Sequence, residues 1–423
     1  MTTSGLRHTM SWPSLVCIAA GCVWLSWLLH VIPDNETFFS ADGGAKTLIL
    51  KSLLREPASV LPSPQASLHT LALWAAGYDP FAALTVNLRG ETFSAFPVPF
   101  AILSAPFYEL FGYRGLYLLP VIGVLGTWVI VGVLLQRSRS QTWVRLVVMA
   151  TLIFGTHLAF YGAAFWEHGP ATALVACGLV GALALDNSPR RDIVCGLLLG
   201  LAAWLRPEAG LIGLCLVVMR VWTFGVRQSF WFATGAGLGA GSYLIWNLAL
   251  YGVLEGAHGI QTTGQYANSG TATVAGARAL ELAGLGVMHS PTLWLAVPLV
   301  LLSCDVRNSG LERARLPLLA AQVVALSLIW MTSGLHHPAA MIGTLLSTAS
   351  LIAYCLVSRI RPEPRETVLL GALILFGVGL PFIAPNTGGY QMGPRYLLVG
   401  IPLAAILLAL GLERFRARAA RWE

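Results

Sequence analysis

The chain has 423 residues, of which 56% are hydrophobic and 11% charged, and its mean hydropathy is +0.71. Soluble domains carry about 25% charged residues, and a chain this long and apolar cannot hide its hydrophobic side chains in a water-soluble core. The composition therefore excludes a soluble protein and predicts an all-α polytopic membrane protein. The net charge of +7 does not indicate nucleic-acid binding, because the arginines cluster in short loops between apolar runs, as membrane topology requires.

The first apolar run extends from Trp12 to Ile32 and follows Arg7. It is about twenty residues long, whereas the apolar region of a signal peptide has roughly 7–15, and no A-x-A cleavage pattern follows. We therefore expect an uncleaved first membrane helix. Further runs close to the roughly 20 residues that cross a bilayer predict about twelve spans, within a range of about 10–14. These runs lie near 12–32, 115–135, 144–163, 168–185, 193–206, 209–224, 229–250, 290–304, 316–334, 338–357, 367–385 and 396–412.

The distribution of charge predicts that the N-terminus and the C-terminus are both cytoplasmic. With this orientation, most of the 26 Lys and Arg residues fall in short inside loops, as the positive-inside rule requires. Two long loops, 33–114 and 251–289, then lie outside, and long ordered loops tend to carry function. Within the first loop, residues 48–54 and 96–112 are predicted as interfacial helices with their apolar sides in lipid. We expect one domain, 1–423, whose two extracytoplasmic loops form the functional face.

The stretch "FFSADGGAKTLILKSLL" of the first loop contains Asp42 and the only two lysines of the chain, Lys46 and Lys51. Gly43 and Gly44 let the chain turn into a helix, and a carboxylate near a helix N-terminus is favoured by the helix dipole. Asp42 is thus either an N-cap or a general base that takes a proton from an acceptor hydroxyl. The lysines are expected to face lipid headgroups or a carrier phosphate.

Two further polar clusters lie at the outer ends of predicted spans. "AFWEHGP" places Glu167 and His168 next to Trp166. They are either solvated charges in an aromatic belt or functional groups, because burying ionisable residues in a membrane is expensive. "WLRPEAG" places Arg206 and Glu208 on either side of a proline. They either pair with each other across the turn or contribute to a site.

The second long loop and the last outer loop carry the remaining candidates. "YGVLEGAHGIQTTGQYANSG" contains His258 among Gly, Gln, Thr and Asn, a composition that suits sugar hydroxyls but is also that of a flexible loop. "PNTGGYQMGPRYLL" places Arg395 beside Tyr390 and Tyr396. An arginine at the membrane surface suits bidentate binding of a phosphate, or snorkels to a lipid headgroup. The cysteines and histidines show no metal-ligand spacing, so no metal site is predicted.

The order of these motifs resembles that of the integral-membrane glycosyltransferases of the GT-C fold, which include protein O-mannosyltransferases and lipid A aminoarabinose transferases. The motifs are "SADGGAK", "FPVPFAILSAPFYELFG", "FWEHGPATAL", "GLLLGLAAWLRPEAG", "NLALYGVLEG" and "GPRYLL". The resemblance implies a GT-C-like transmembrane domain that transfers a sugar from a polyprenyl-phosphate donor on the outer face of the plasma (inner) membrane. It maps the family's catalytic base onto Asp42 and the carrier-phosphate ligands onto Lys46, Arg206 or Arg395.

One departure from the family concerns the acceptor. Members that act on proteins commonly carry an Asp-Glu pair in the first outer loop, whereas Gly43 follows Asp42 here. A glycan or lipid acceptor of the cell envelope is therefore expected, and the other partners are the lipid-linked sugar donor and membrane lipids. The residues specify no cofactor; an arginine, a lysine or a divalent cation could stabilise the leaving phosphate.

A transporter or flippase of a lipid-linked saccharide is the alternative function. Such a protein needs polar residues in mid-span and on both faces, whereas the candidates here lie at the outer ends of the predicted spans. A non-catalytic assembly subunit of a cell-envelope pathway is a third hypothesis. Binding of a lipid-linked sugar without turnover would distinguish this third hypothesis from the enzyme.

Overall fold

The fold is taken from a computed structural model, and it is mostly α-helical. The structure describes residues 10–31, 41–55, 85–88, 91–138, 140–186, 188–267, 363–383 and 395–419. The helices in chain order are α1 (Trp12–Val31), α2 (Ala41–Arg55), α3 (Val98–Phe111), α4 (Leu118–Arg137), α5 (Thr142–Phe154), α6 (Leu158–Gly162), α7 (His168–Ala182), α8 (Pro189–Leu205), α9 (Pro207–Phe224), α10 (Val226–Tyr251), α11 (Gly256–Ala267), α12 (Pro364–Ile383) and α13 (Ile401–Ala419). Two 3-10 helices, Gly112–Tyr117 and Arg395–Gly400, precede α4 and α13.

Four helical segments of the described chain are long and apolar enough to cross a membrane. They are Trp12–Val31, Val98–Arg137, Pro207–Phe224 and Arg395–Glu413. Two shorter apolar helices, Thr142–Phe154 and His168–Ala182, accompany them. The long apolar helices fit the predicted membrane protein. The predicted runs 290–304, 316–334 and 338–357 lie outside the described residues, so the number of spans and the side of each terminus stay predictions.

The first long loop contains more regular structure than its sequence indicated. Within the predicted stretch 96–112, Val98–Phe111 is helical and begins directly after Pro97, where proline is tolerated. It belongs to the candidate span Val98–Arg137, and its interfacial position stays a prediction. The helix continues through the 3-10 turn into α4. An antiparallel hairpin that was not predicted precedes it, formed by β1 (Thr85–Leu88) and β2 (Glu91–Ser94). The four-residue strands are too short for their periodicity to stand out in the sequence.

Two other predicted segments differ from the structure. The predicted run 144–163 is divided, because α5 ends at Phe154 and only the five-residue α6 follows. The Thr156 hydroxyl donates to the Leu152 carbonyl at 2.6 Å, which caps the broken turn. The predicted outer loop 251–289 contains α11, so this part of it is helical. Residues 268–289 of that loop lie outside the described residues.

Glycines allow α8 and α10 to pack in close contact. A Cβ atom added to Gly196 would lie 2.1 Å from the Phe232 carbonyl oxygen, and one added to Gly200 would lie 2.3 Å from that of Ala236. Gly235 faces α8 in the same way, 2.2 Å from the Ile193 carbonyl oxygen. Small residues four apart on both helices let the two backbones approach, as in many membrane helix pairs.

Helices α8 and α9 form an antiparallel pair with a charged cluster at each end. Arg206 alone connects them, and at their other end the Arg220 guanidinium donates to Asp192 at 2.9 Å. Arg220 is buried and also donates to the Gly181 carbonyl at the end of α7. Since α8 rises about 1.5 Å per residue, the two clusters lie roughly 20 Å apart along it. The cluster at the Arg206 end is the candidate site.

A buried ion-pair network as the candidate functional site

Three cations and three carboxylates from separate parts of the chain meet at one end of the helices. We call them the ion-pair network: Asp42, Lys46, Glu167, Arg206, Glu208 and Arg395. Five of the six lie at helix ends, and among them Glu208 is in the first turn of α9. Asp42 is in the first turn of α2, Glu167 precedes α7, Arg206 separates α8 from α9, and Arg395 begins a 3-10 helix.

The sequence of α2 places two members of the network on one face. Asp42 and Lys46 are four residues apart, a spacing that puts their side chains on the same side of a helix. Thr47 secures the first turn because its hydroxyl donates to the Gly43 carbonyl at 3.0 Å. The other side chains of this face, such as Ile49 and Leu50, are buried in the apolar core. Helix α2 is therefore packed against the protein along this face.

Glu167 lies at the centre of the network. Its carboxylate forms ion pairs with Lys46 at 2.5 Å and with Arg206 at 2.8 Å. Arg206 extends the chain of contacts, since its Nε atom donates to Glu208 at 2.6 Å. All four side chains are buried, so these charges interact at a low local dielectric and strongly.

Asp42 and Arg395 form the accessible end of the network. The Arg395 guanidinium donates to the Asp42 carboxylate at 2.7 Å across a separation of 353 residues in the chain. Their side chains are 18% and 14% exposed, whereas Lys46 and Glu167 are 2% and 0% exposed. A molecule that reaches the network therefore meets the Asp42–Arg395 pair first.

Aromatic rings surround the cations. Lys46 lies over Phe96 at 4.8 Å and over Trp166 at 5.8 Å from the ring centroids. Tyr396 separates the two arginines, with its centroid 5.3 Å from Arg206 and 5.5 Å from Arg395. Such cation–π contacts favour the charged form of each group where water is absent.

The balance of charge decides how the network responds to pH and to anions. Burial disfavours the charged forms of Glu167 and Lys46, but Lys46 and Arg206 together hold the pKa of Glu167 at about 2. Burial lowers the pKa of Lys46, and the carboxylates of Glu167 and Asp42 oppose that shift.

Two N–H groups of the network have no hydrogen-bond partner among the described residues, the Arg206 Nη2 and the Arg395 Nε. Both N–H groups are buried next to Tyr396, whose ring lies against the two guanidinium groups.

The other predicted site residues outside this network include His168, His258 and Tyr390. His168 is buried, and its ring lies 5.7 Å from that of Trp166. His258 on α11 is partly buried and hydrogen-bonds the Ala95 backbone, and burial lowers its pKa to about 4. Arg206 and Glu167 are among the charges that act on His258, so α11 faces the same region. Tyr390 lies outside the described residues.

The burial and pairing of the charged side chains test several interpretations of single residues. The pairing of Arg206 with Glu208 is confirmed. The reading of Glu167 and His168 as solvated belt residues is wrong, because their side chains are buried. The expectation that both lysines face headgroups or a phosphate is wrong for Lys46, which pairs with Glu167 instead. The functional roles of all these residues stay predictions.

Two residues of the site region were missed by the sequence analysis. His157 and Tyr161 lie in the connection to α6 and in α6 itself, and their rings are 5.4 Å apart. A histidine within the apolar run 144–163 was the available signal, because ionisable groups in such runs are rare without a function.

The fold and this network define a mostly helical protein with candidate membrane spans and a buried, charge-balanced polar centre. Comparison with protein-family models, curated proteins and solved structures finds no match. Within the described ranges, no group of three or more His, Cys, Asp or Glu side chains is placed to hold a metal ion.

Proposed function

We propose that the protein is an inverting glycosyltransferase. It moves a sugar from a polyprenyl-phosphate donor to a hydroxyl of a cell-envelope glycan or lipid, with Asp42 as the general base. The reaction takes place on the extracytoplasmic face of the plasma (inner) membrane, in a chain of about twelve spans with both termini in the cytoplasm. The observation that carries the proposal is the partly exposed Asp42–Arg395 pair, which joins a carboxylate to a cation at the edge of a buried network.

In the proposed reaction, Asp42 accepts a proton and Arg395 stabilises the negative charge of the leaving group. The Asp42 carboxylate accepts the proton of the acceptor hydroxyl, whose oxygen attacks the anomeric carbon from the side opposite the phosphate. The bond between that carbon and the phosphate oxygen breaks, and its electron pair leaves with the polyprenyl phosphate. Arg395, supported by the free N–H of Arg206, stabilises the negative charge on the leaving group.

In this proposal, the Asp42–Arg395 ion pair controls when Asp42 is free to act as the general base. While Asp42 accepts the hydrogen bond of Arg395 at 2.7 Å, one of its carboxylate oxygens is already occupied. A donor phosphate that binds Arg395 competes with Asp42 for the same N–H groups. Asp42 is thereby released toward the acceptor when the donor is in place. The other charges of the network stay paired throughout and hold Arg206 in position.

The placement of the charges favours this enzyme over a transporter or flippase. A transport path requires polar groups in the middle of spans. The described network instead consists of residues at or near helix ends, with Asp42, Glu167, Arg206 and Arg395 at the starts of helices or between them. A transporter forms no covalent product, so formation of a glycosylated acceptor distinguishes the two functions.

The test uses purified protein, radiolabelled polyprenyl-phosphate sugars and envelope lipid and glycan acceptors. The wild type is expected to form labelled acceptor, and Asp42→Asn is expected to form none while it folds normally. Asp186→Asn is the matched control, because Asp186 is 75% exposed at the opposite end of α8 and its variant is expected to keep full activity. Near-normal transfer by Asp42→Asn would contradict the role of Asp42, and no transfer by the wild type from any donor would contradict the proposed function.

A further inference from the structure

Two histidines next to the network have unused hydrogen-bonding groups. Both ring nitrogens of His157 and both of His168 are shielded from solvent and have no hydrogen-bond partner among the residues that the structure describes. Buried polar groups are nearly always hydrogen-bonded, and an unpaired one costs about 1–3 kcal/mol. Two imidazoles whose buried nitrogen atoms lack partners, each against the ring of Tyr161, therefore point to bound molecules that supply them.

The two imidazoles belong to one aromatic cluster. The ring of Tyr161 lies 5.4 Å from that of His157 and 4.9 Å from that of His168. The ring of Trp166 lies 4.9 Å from Tyr161 and 5.7 Å from His168. Tyr161, Trp166 and His168 are each at most 2% exposed. The cluster combines ring surfaces with the four unpaired imidazole nitrogen atoms.

The charges around the cluster indicate the chemical class of its ligand. Burial acts most strongly on His168, and the nearby charges that act in the same direction are the cations of Arg206, Arg395 and Lys46. These cations and burial both favour the neutral imidazole, which has one donor and one acceptor nitrogen. A phosphate diester offers only acceptor oxygens, so it leaves the acceptor nitrogen of the imidazole unpaired. A hydroxyl can donate to the acceptor nitrogen or accept from the donor nitrogen, so hydroxyl groups can pair with both kinds of nitrogen. Hydroxyls together with C–H surfaces that pack on aromatic rings are the properties of a sugar ring.

The cluster is also in the right place for the sugar of a lipid-linked donor. Trp166 contacts both regions, since its ring lies 5.6 Å from the Arg395 guanidinium on one side and 5.7 Å from His168 on the other. A phosphate at Arg395 is thus one aromatic ring, that of Trp166, away from His168, and His157 lies beyond Tyr161. We infer that His157, Tyr161, Trp166 and His168 form the subsite that binds the sugar of the donor. This inference rests on the proposed function.

The test compares a bare polyprenyl phosphate with the same lipid carrying one of several sugars. Binding of a C15 polyprenyl phosphate, and of its glucosyl, galactosyl, mannosyl and arabinosyl derivatives, is measured on purified wild type and on the double variant His157→Phe, His168→Phe. Phenylalanine keeps the ring packing and removes the nitrogen atoms, so the variant is expected to fold. Its thermal unfolding is measured alongside. Tyr113→Phe is the control, because it removes a different polar group, a hydroxyl that pairs with that of Tyr117 at 2.7 Å.

The wild type is expected to bind at least one sugar-bearing lipid more tightly than the bare phosphate. The double variant is expected to lose about tenfold or more of the affinity for that lipid, from two hydrogen bonds of about 1 kcal/mol each. Its affinity for the bare phosphate is expected to be unchanged. Equal binding of both lipids by the wild type, an equal loss for both, or no loss in the double variant would overturn the inference and leave the proposed function standing. Failure of the wild type to bind any of these lipids would overturn both.

Discussion

Removal of the central carboxylate of the network, by Glu167→Gln, is expected to destabilise the protein strongly. Glu167 is fully buried and pairs with Lys46 at 2.5 Å and Arg206 at 2.8 Å. Arg206 keeps Glu208 at 2.6 Å in the variant, but Lys46 loses its close carboxylate in a site where it is 2% exposed. Loss of one partner of a buried ion pair costs about 3–5 kcal/mol, because the other charge is left uncompensated.

Two further variants test whether the unpaired charge is the cause. Glu208→Gln leaves Arg206 paired with Glu167, so a smaller loss of about 1–3 kcal/mol is expected. The double variant Lys46→Met, Glu167→Gln removes the stranded ammonium group, and it is expected to recover much of the stability that the single variant loses.

The free energy of unfolding is measured in mixed micelles of a mild detergent and dodecyl sulfate, followed by far-UV circular dichroism and the fluorescence of the 14 tryptophans. Glu109→Gln is the control, because Glu109 is exposed on α3 and its replacement is expected to change little. A loss for Glu167→Gln below about 1 kcal/mol, or equal to that of the control, would refute the reasoning. So would a double variant that is less stable than Glu167→Gln alone.

Three other predictions use the same unfolding measurement. Gly200→Ala is expected to cost about 1–3 kcal/mol from overpacking, because its Cβ would lie 2.3 Å from a carbonyl oxygen of α10, whereas Gly237→Ala, with nothing within 4 Å, is neutral. The pKa of Glu167 is about 2, below its ordinary 4.5; its contribution to stability is therefore present above pH 4.5 and is lost as the pH falls toward 2, so the difference between wild type and Glu167→Gln shrinks in acid. Arg220→Met is expected to cost about 1–3 kcal/mol, because Asp192 and the end of α7 lose a buried donor.

Each of these three has a result that contradicts it. Equal effects of the two glycine variants would argue against close packing of α8 on α10. A difference between wild type and Glu167→Gln that stays constant from pH 7 to pH 2 would show that the Glu167 carboxylate is not stabilised by its cations. An Arg220→Met variant as stable as the wild type would mean that this second cluster does not hold the helices together.

The helices near the site were predictable because strong local signals bound them. The run 193–206 corresponds to Pro189–Leu205 and the run 209–224 to Pro207–Phe224, since a proline begins each helix and an arginine interrupts the apolar sequence between them. The pairing of Arg206 with Glu208 followed from the same local sequence. Breaks that depend on a single turn, such as the one after Phe154, leave no comparable change in composition.

The assembly of the site could not be predicted in the same way. Asp42 and Arg395 are 353 residues apart, and nothing in either segment specifies the other. Glu167 was identified as a candidate, but its two cationic partners lie on α2 and between α8 and α9. Burial of a lysine depends on its carboxylate partner, so Lys46 alone gave no indication that it leaves the membrane surface.

The most direct test of the central claim is a single measurement in reconstituted liposomes that separates sugar transfer from movement of the lipid-linked sugar. Labelled polyprenyl-phosphate sugar and an acceptor are present in the membrane, and mass spectrometry detects glycosylated acceptor while accessibility of the label reports translocation. The account predicts glycosylated acceptor and an equal amount of free polyprenyl phosphate with the wild type, and neither with Asp42→Asn. Translocation of the label without any covalent product would contradict it.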